Sequence, residues 1–539
     1  MSSASSAGPA SAEPALPPRV SSLGAGAWLA LVGVALAGIV HLPQPFTWDQ
    51  AMFTTGARAL DHGAALYTGY WDPKQPGIYL FYLAGGALFG FSEIGIHLFE
   101  LVWMTALGAA LLLALRPSFE RRWALLLVPL LTSGYFYAIT QDWHLTQVEG
   151  LVGLPMFLAM WASMRGARME RGAAGRFALS GVMGGVVLVF KLALLPMLGL
   201  FWLADLIAIL SSGRANAARG ALAAALWIAV GVAIPVGMIV AWLAARGALP
   251  MAMWTWFVFP AQAMSAMGRF RLETFIDGFS WFGRRFSPLL TFAVAGAWAG
   301  MRRGRDPLAL RLVLWIAGGA FVILIQRWSY WQYQYVIFLV PLGVLAALGL
   351  EALVPALLEL PVFRSRREAR VVMVAAGLAL FSGPLGFLAL KAMFLARDRF
   401  ALTPRALETQ LIRGSRGGAY YKFLPEVSFL KQPGARPGPI YVVGNPLFYW
   451  LSGRDQAVAR SGGVMTTYRG ADDWSETAAQ LRRVRPPYVF VQSDHMDMLL
   501  HAAPRTGALL ALLASDYRER GRSPIGTWYE LARPDSAAR

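Results

Sequence analysis

Cysteine is absent from this 539-residue chain, and charged residues are scarce. Without cysteine, the protein has no disulfides, no thiolate metal sites and no cysteine nucleophile. Charged residues make up 14% of the sequence, whereas they make up about 25% of a typical soluble domain. Hydrophobic residues make up 57%. This composition predicts an integral membrane protein.

Acidic residues are also fewer than basic ones, 30 against 48, which gives a formal net charge of +18. Such an excess is compatible with nucleic-acid binding, but its placement indicates another origin. The arginines cluster in short loops between apolar runs, as they do in the cytoplasmic loops of membrane proteins. We therefore expect membrane lipids, and no nucleic acid, as partners.

Long apolar runs predict about eleven membrane spans, since about 20 apolar residues cross a bilayer. The first covers about 23–40. The others are predicted at 94–115, 123–140, 145–164, 177–190, 192–210, 221–245, 286–300, 312–326, 335–350 and 371–396. The apolar stretch 77–90 is too short to cross, and we expect it to be interfacial or re-entrant within the first external loop. The arginine loops place the N-terminus in the cytoplasm and the C-terminus outside.

The overall prediction is a mainly α, polytopic helical membrane protein with a small C-terminal α/β extracytoplasmic domain. Residues 1–22, rich in Ser, Ala and Pro, are expected to form a disordered cytoplasmic tail. The transmembrane domain is predicted to cover 23–396 and the external domain 397–539. In the external domain, short strands are predicted at 440–444, 488–492 and 527–531, and a helix at 507–515.

Two polar segments follow the first span. Asp49 lies among aromatic residues, where a carboxylate can act as a general base or, alternatively, as a helix cap or solvated acid. Asp72 and Lys74 lie in a segment whose prolines fix an extended backbone. The lysine can meet a phosphate at headgroup depth, or it is an ordinary interfacial lysine beside aromatic anchors.

Charged and polar residues elsewhere are also predicted near outer ends of spans. Glu149 and Lys191 lie where charges are costly and usually face a cavity or a partner. Arg269 and Arg271 oppose the usual topological bias; they bind a lipid phosphate, or they contact headgroups and pair with nearby acids.

The segment 327–335 contains Arg327, Tyr333 and Gln334 among several aromatics. These residues suit a sugar-binding cavity or an ordinary aromatic belt.

Several common site motifs are missing. The sequence has no P-loop, no dinucleotide fingerprint and no pair of histidines at metal-binding helical spacing. We expect no cofactor; the outer carboxylates could bind a divalent metal, but no ligand set is visible. The cluster of Asp494, His495 and Asp497 is interpreted as a strand-end loop. The glycines of 181–185 are predicted to allow close helix packing.

The order of these motifs resembles that of the bacterial GT-C glycosyltransferases related to protein O-mannosyltransferases and lipid A aminoarabinose transferases. The resemblance covers roughly 48–350. Its motifs are Trp48-Asp49-Gln50, Gly63-Ala64-Ala65-Leu66-Tyr67, Lys74-Gln75-Pro76, the segment 89–93, Val148-Glu149, the glycine-rich span ending at Lys191, and Gln334-Tyr335 before Pro341. The chain has Gln50 where the family often has Glu, Gln75 where it has proline, and Gln334 where it has histidine.

The resemblance implies an inverting glycosyltransferase at the outer face of a bacterial inner membrane. It would move a sugar from a polyprenyl-phosphate donor to a hydroxyl of a glycan, lipid or protein. Asp49 would be the catalytic base, and Lys74, Arg269, Arg271 and Arg327 would bind the donor phosphate. Asp72, Glu149, Lys191, Tyr333 and Gln334 would line the substrate cavity. The alternatives are a transporter or flippase of lipid-linked sugars, and a noncatalytic membrane scaffold.

Overall fold

The structure is a computed structural model that describes residues 24–267, 271–303, 307–326, 330–362, 365–401, 418–463 and 470–532. The predicted N-terminal tail, 1–22, lies outside the described residues. A helical membrane region is followed by a small α/β region, as the sequence predicted. The helices of the membrane region are α1 Ala25–Ile39, α2 Trp48–Asp61, α3 Pro76–Phe89, α4 Glu93–Leu115, α5 Arg122–Pro129, α6 Tyr135–Ile139, α7 Val148–Leu151, α8 Gly153–Gly166, α9 Ala173–Phe190, α10 Leu195–Leu210, α11 Ala217–Ala245, α12 Leu249–Met253, α13 Phe259–Met267, α14 Leu272–Arg303, α15 Leu308–Ile325, α16 Leu339–Leu358 and α17 Arg366–Ala401.

Eight segments among the described residues are helical, long and apolar enough to cross a membrane. They match eight of the predicted spans. The other three correspond to α1 and α8, which are shorter, and to the second half of α14. The stretch expected to be interfacial forms α3, a short apolar helix of 14 residues.

Two parts of the membrane region differ from the sequence-based prediction. The span expected at 145–164 does not become helical until α7, because polar residues 141–147 form a turn with the 3-10 helix Asp142–His144. The segment 246–285, which separates the spans predicted at 221–245 and 286–300, is largely helical. It contains α12, the π-helix Trp254–Val258, α13 and the first half of the 32-residue α14.

Close backbone packing and one buried ion pair hold the membrane helices together. Gly181 of α9 lies against α11, where an added Cβ would be 2.8 Å from the Cα of Gly231 and would overlap the Ile228 carbonyl oxygen. This contact fits the packing role predicted for these glycines. Arg311 of α15 donates to Asp205 of α10, and both side chains are buried. The pair satisfies two charges that would otherwise be costly inside a membrane.

The C-terminal region contains one four-stranded sheet with the order β1-β2-β4-β3. Its strands are β1 Ile440–Val443, β2 Tyr488–Gln492, β3 Tyr517–Arg522 and β4 Gly526–Leu531. Its helices are α18 Gly418–Val427, α19 Leu447–Ser452, α20 Ala471–Val484, α21 Ser493–His501 and α22 Ala503–Asp516. β1 and β2 are parallel, and the other pairs are antiparallel. Three strands and α22 lie where the sequence predicted them. β3 was missed because five of its six residues are exposed, which removes the apolar signal of a buried strand.

Strands β1 and β2 are buried on both faces, and one face of the sheet packs towards the membrane region. Val489 and Val491 of β2 pack in a core with α20 and α22. Tyr488 and Phe490, which point the opposite way, belong to the large core that continues into the membrane helices. The alternation along β2 therefore anchors the sheet to the rest of the chain.

Candidate functional site

Asp49 occupies the first turn of α2, which begins at Trp48 and is capped by Thr47. The backbone N–H of Thr47 donates to Gln50 Oε1 at 2.8 Å, which forms part of a capping box. The Gln50 amide nitrogen donates to the carbonyl oxygens of Asp142 and Leu145, each at 3.1 Å. Gln50 therefore fixes α2 to the turn 141–147. Because Gln50 follows Asp49 directly, these hydrogen bonds also hold Asp49 in place.

A glutamine that the sequence analysis did not select touches Asp49. Gln147 Nε2 donates to Asp49 Oδ2 at 3.3 Å and to the Trp143 carbonyl oxygen at 3.2 Å. Gln147 is buried, and it lies 98 residues from Asp49 in sequence. The polar run 141–147 at the end of an apolar segment was the available signal, but it did not single out this amide.

The backbone before Gln147 adopts an unusual conformation. Thr146 has φ of +53°, which is rare for a β-branched residue. Its N–H donates to Glu100 at 2.5 Å, and its hydroxyl oxygen accepts from Tyr82 at 2.6 Å. These buried hydrogen bonds stabilise the turn that directs Gln147 towards Asp49.

The pKa of the Asp49 carboxyl is raised above its ordinary value. Burial is the main cause, and the nearby Glu149 acts in the same direction. The charge of Lys74 and the hydrogen bond from Gln147 oppose the rise. A carboxylate with a raised pKa is a stronger base than a solvated one, which suits proton abstraction.

The segment that carries Lys74 is fixed by the carboxylate of Asp72. Asp72 Oδ1 accepts from the Lys74 backbone N–H at 3.0 Å and from the Tyr79 hydroxyl at 2.7 Å. Tyr67, whose φ is +75°, donates from its hydroxyl to the Lys74 carbonyl oxygen at 2.8 Å. Burial raises the pKa of the Asp72 carboxyl. Asp72 thus orders the loop beside the site.

The Lys74 ammonium is free to meet an anion. In the described part of the chain it forms no hydrogen bond or ion pair, and the side chain is only partly buried. Its charge nevertheless acts on Asp49 and on Asp72. A cation therefore acts electrostatically on both carboxylates of this loop.

Glu149 and Lys191 form an ion pair on the side of the site that is bounded by α7 and α9. Lys191 Nζ lies 2.7 Å from Glu149 Oε1, and the side chains are 20% and 5% exposed. Lys191 has extended backbone between α9 and the following 3-10 helix. Tyr333 interacts electrostatically with both Asp49 and Glu149, which adds a phenol hydroxyl to the same cluster.

Two of the remaining predicted residues, Arg271 and Gln334, are described, and their recorded surroundings do not include Asp49. Arg271 is exposed just before α14. Gln334 is buried, and its amide nitrogen donates to Gln326 at 2.9 Å. Arg269 and Arg327 lie outside the described residues.

The C-terminal region covers the first loop close to the site. The ring of His495 stacks on Trp48, the neighbour of Asp49, with centroids 6.3 Å apart. The backbone N–H of Trp71 donates to the Ala459 carbonyl oxygen at 2.8 Å, and the Arg460 guanidinium lies over the Trp71 ring. These contacts place the sheet region beside both polar segments of the first loop.

Among the described residues, no group of three or more histidine or acidic side chains could hold a metal ion. The Asp494 to Asp497 segment, which was interpreted as a strand-end loop, instead forms the first part of α21 directly after β2. His495 Nδ1 lies 2.9 Å from Asp494 Oδ1.

No protein-family model and no curated protein matches the sequence. Solved structures do match. The crystal structure of ArnT from Cupriavidus metallidurans bound to undecaprenyl phosphate has a TM-score of 0.54 and 14% identity, and the match covers 94% of this chain and 98% of that one. The apo structure of the same protein has a TM-score of 0.55 and 15% identity, with 93% and 97% covered. The chain therefore has an ArnT-like fold, which confirms at the level of fold the resemblance to GT-C glycosyltransferases that its motifs predicted.

Proposed function

We propose that this protein is an inverting glycosyltransferase that moves a sugar from a polyprenyl-phosphate donor to a hydroxyl group of a glycan, lipid or protein. The observation that carries the proposal is the coupling of Asp49 to the free ammonium of Lys74 in the first loop. The ArnT-like fold over nearly the whole chain supports the same class of reaction.

In the proposed reaction, Asp49 accepts the proton of the acceptor hydroxyl as its oxygen attacks the anomeric carbon. The bond between that carbon and the donor phosphate breaks, and the configuration inverts. The hydrogen bond from Gln147 orients the carboxylate. The leaving group is a lipid phosphate, a monoester whose second pKa is about 6, so it leaves as an anion without a general acid.

Lys74 supplies the positive charge that the leaving phosphate requires. A fixed cation is most effective where charge develops in a partly dehydrated site. Asp72 and Tyr67 hold the backbone of Lys74 in place, so the ammonium is positioned before the donor binds. We assign no cofactor to this reaction.

The proposed donor also implies a location for the protein in the membrane. A polyprenyl-phosphate sugar is presented at a membrane surface, and one of the matched ArnT structures was bound to undecaprenyl phosphate. We propose that the chain lies in a bacterial inner membrane with its N-terminus in the cytoplasm. The first loop and the C-terminal α/β domain, 397–539, would lie outside, where the domain would cover or select the acceptor.

The test is release of polyprenyl phosphate from a labelled donor by Asp49→Asn. We expect release to fall by at least about 100-fold, the scale of a lost general base. Donor binding and folding should be retained. Asp61→Asn is the matched control, because Asp61 is an exposed acid in the last turn of the same helix. Full turnover by Asp49→Asn would remove Asp49 from the mechanism. Movement of intact donor across sealed vesicles without release would identify a transporter or flippase.

A further inference from the structure

A second basic cluster lies where α14 and α17 meet. Arg285 of α14 and Lys391 of α17 lie over the ring of Phe387, at 4.9 Å and 4.6 Å from its centroid. The Lys391 ammonium also donates to the Thr140 carbonyl oxygen at 3.2 Å. Neither cation forms an ion pair within the ranges that the structure describes. The two cations thus share one aromatic ring, and Lys391 also binds a carbonyl oxygen.

The electrostatics of this cluster favour an added anion. Arg285 and Lys391 repel each other, and the neighbouring Arg284 also repels Arg285. The acid that acts on Lys391 is Asp142, whose side chain is buried. Arg285 and Lys391 are both partly exposed. Because like charges in partly dehydrated surroundings are costly, a bound anion at the exposed side would stabilise the pair.

The surroundings of the cluster are apolar and exposed. Leu385, Leu390 and Met393 of α17 are 47%, 51% and 53% exposed. In a membrane-spanning chain, these side chains face lipid. A ligand that matches the surface therefore has an anionic head and an apolar tail.

The cluster is separate from the one around Lys74. Lys391 interacts electrostatically with Arg285 and Asp142, whereas Lys74 interacts electrostatically with Asp49 and Asp72. The turn 141–147 lies between the two clusters. Lys391 contacts Thr140, the residue before the turn, and Gln147, the last residue of the turn, contacts Asp49. Gln50, which follows Asp49 in α2, donates to the carbonyl oxygen of Asp142, the acid that acts on Lys391. Both clusters are therefore on the same side of the membrane.

We propose that Arg285 and Lys391 bind the phosphate of an anionic membrane lipid, at a site separate from Lys74. Both side chains donate charge-assisted hydrogen bonds to the phosphate oxygens, and the lipid chains lie along the exposed face of α17. The proposal does not depend on the transferase activity, because it concerns binding alone.

Photolabelling of the full chain in phosphatidylcholine nanodiscs tests the site. The probe is phosphatidylglycerol with a photoreactive group on its acyl chain, and the labelled peptides are identified by mass spectrometry. We expect label on peptides from α14 and α17. Arg285→Gln and Lys391→Gln should each reduce it about fivefold, since one basic residue at an anionic membrane surface contributes about that factor in affinity. Arg285→Lys should retain most of the label.

Arg302→Gln is the matched control. Arg302 lies over the Trp298 ring at 4.1 Å towards the other end of α14, so it is also an arginine stacked on an aromatic ring. Its replacement should leave the label on α17 unchanged. Equal labelling of the wild type and the doubly neutralised variant would overturn the proposal, as would equal labelling by photoreactive phosphatidylcholine. Displacement of the label by millimolar inorganic phosphate would indicate a free-phosphate site and would also overturn it. Unfolding curves in the same nanodiscs verify that each compared variant is folded.

Discussion

The contact between α3 and α9 gives a sharp test of how Lys74 is positioned. A Cβ added to Gly77 would lie 2.8 Å from the backbone N and Cα of Phe190. Ordinary contact between carbon atoms is about 3.5–4.0 Å, so Gly77→Ala requires the two helices to separate by about 1 Å. Gly77 follows Lys74 by three residues and packs on the residue before Lys191. The substitution should therefore displace Lys74, the cation proposed to bind the donor phosphate.

A misplacement of about 1 Å can reduce a rate by about 100-fold. The overpacking should also reduce stability by about 1–3 kcal/mol. We expect Gly77→Ala to remain folded in detergent, with a lower unfolding midpoint, and to lose about 100-fold in release of polyprenyl phosphate. The loss should appear in kcat/KM for the donor.

Gly199→Ala provides the control, since Gly199 lies in α10 with nothing within 4 Å of the added Cβ. This variant should match the wild type in both assays. Wild-type kcat/KM in Gly77→Ala would refute the argument that the α3–α9 contact positions Lys74. Equal losses in both alanine variants would show that the effect arises from helix substitution in general.

Three further outcomes are expected. In Lys74→Gln, loss of the charge that lowers the Asp49 pKa should move the acidic limb of the kcat/KM profile to higher pH, because the base then protonates at higher pH; an unmoved limb would contradict the coupling. In Gln147→Leu, that limb should move in the same direction and kcat should fall about tenfold, the scale of one hydrogen bond to a charged group. Lys191→Met should lower the free energy of unfolding by about 3–5 kcal/mol by leaving buried Glu149 unpaired, and denaturation of the Glu149→Gln/Lys191→Met double variant should show most of that loss recovered.

Contacts with the C-terminal region also hold the first loop in place. Trp450 donates to Glu93 Oε1 at 2.7 Å, and Arg58 lies 3.9 Å from Asp455. With the Trp48–His495 stack, these contacts connect the sheet region to the beginning and end of the loop and to α2 between them. Trp48, the residue next to the proposed base, is therefore part of the interface with the C-terminal region.

The class of the protein and most of its helices and strands follow from local sequence patterns. Apolar run length is a local property, and it located the membrane helices, the short α3 and the break at Lys191. Short apolar runs likewise located three strands of the sheet. Asp49 and Lys74 could be selected because charged residues between aromatic and apolar segments are costly and usually face a cavity or a partner.

Which side chains meet depends on how distant segments of the chain pack. The bond from Gln147 to Asp49 joins residues 98 positions apart, and a left-handed backbone at Thr146 directs it; neither follows from local composition. The exposed strand β3 likewise depends on its neighbour in the sheet. Pairing with β4 supplies its backbone hydrogen bonds, whereas its own charged sequence does not indicate a strand. Hydrophobicity is additive along a chain and can be read from it, whereas the geometry of a polar site depends on contacts that form only when distant segments pack.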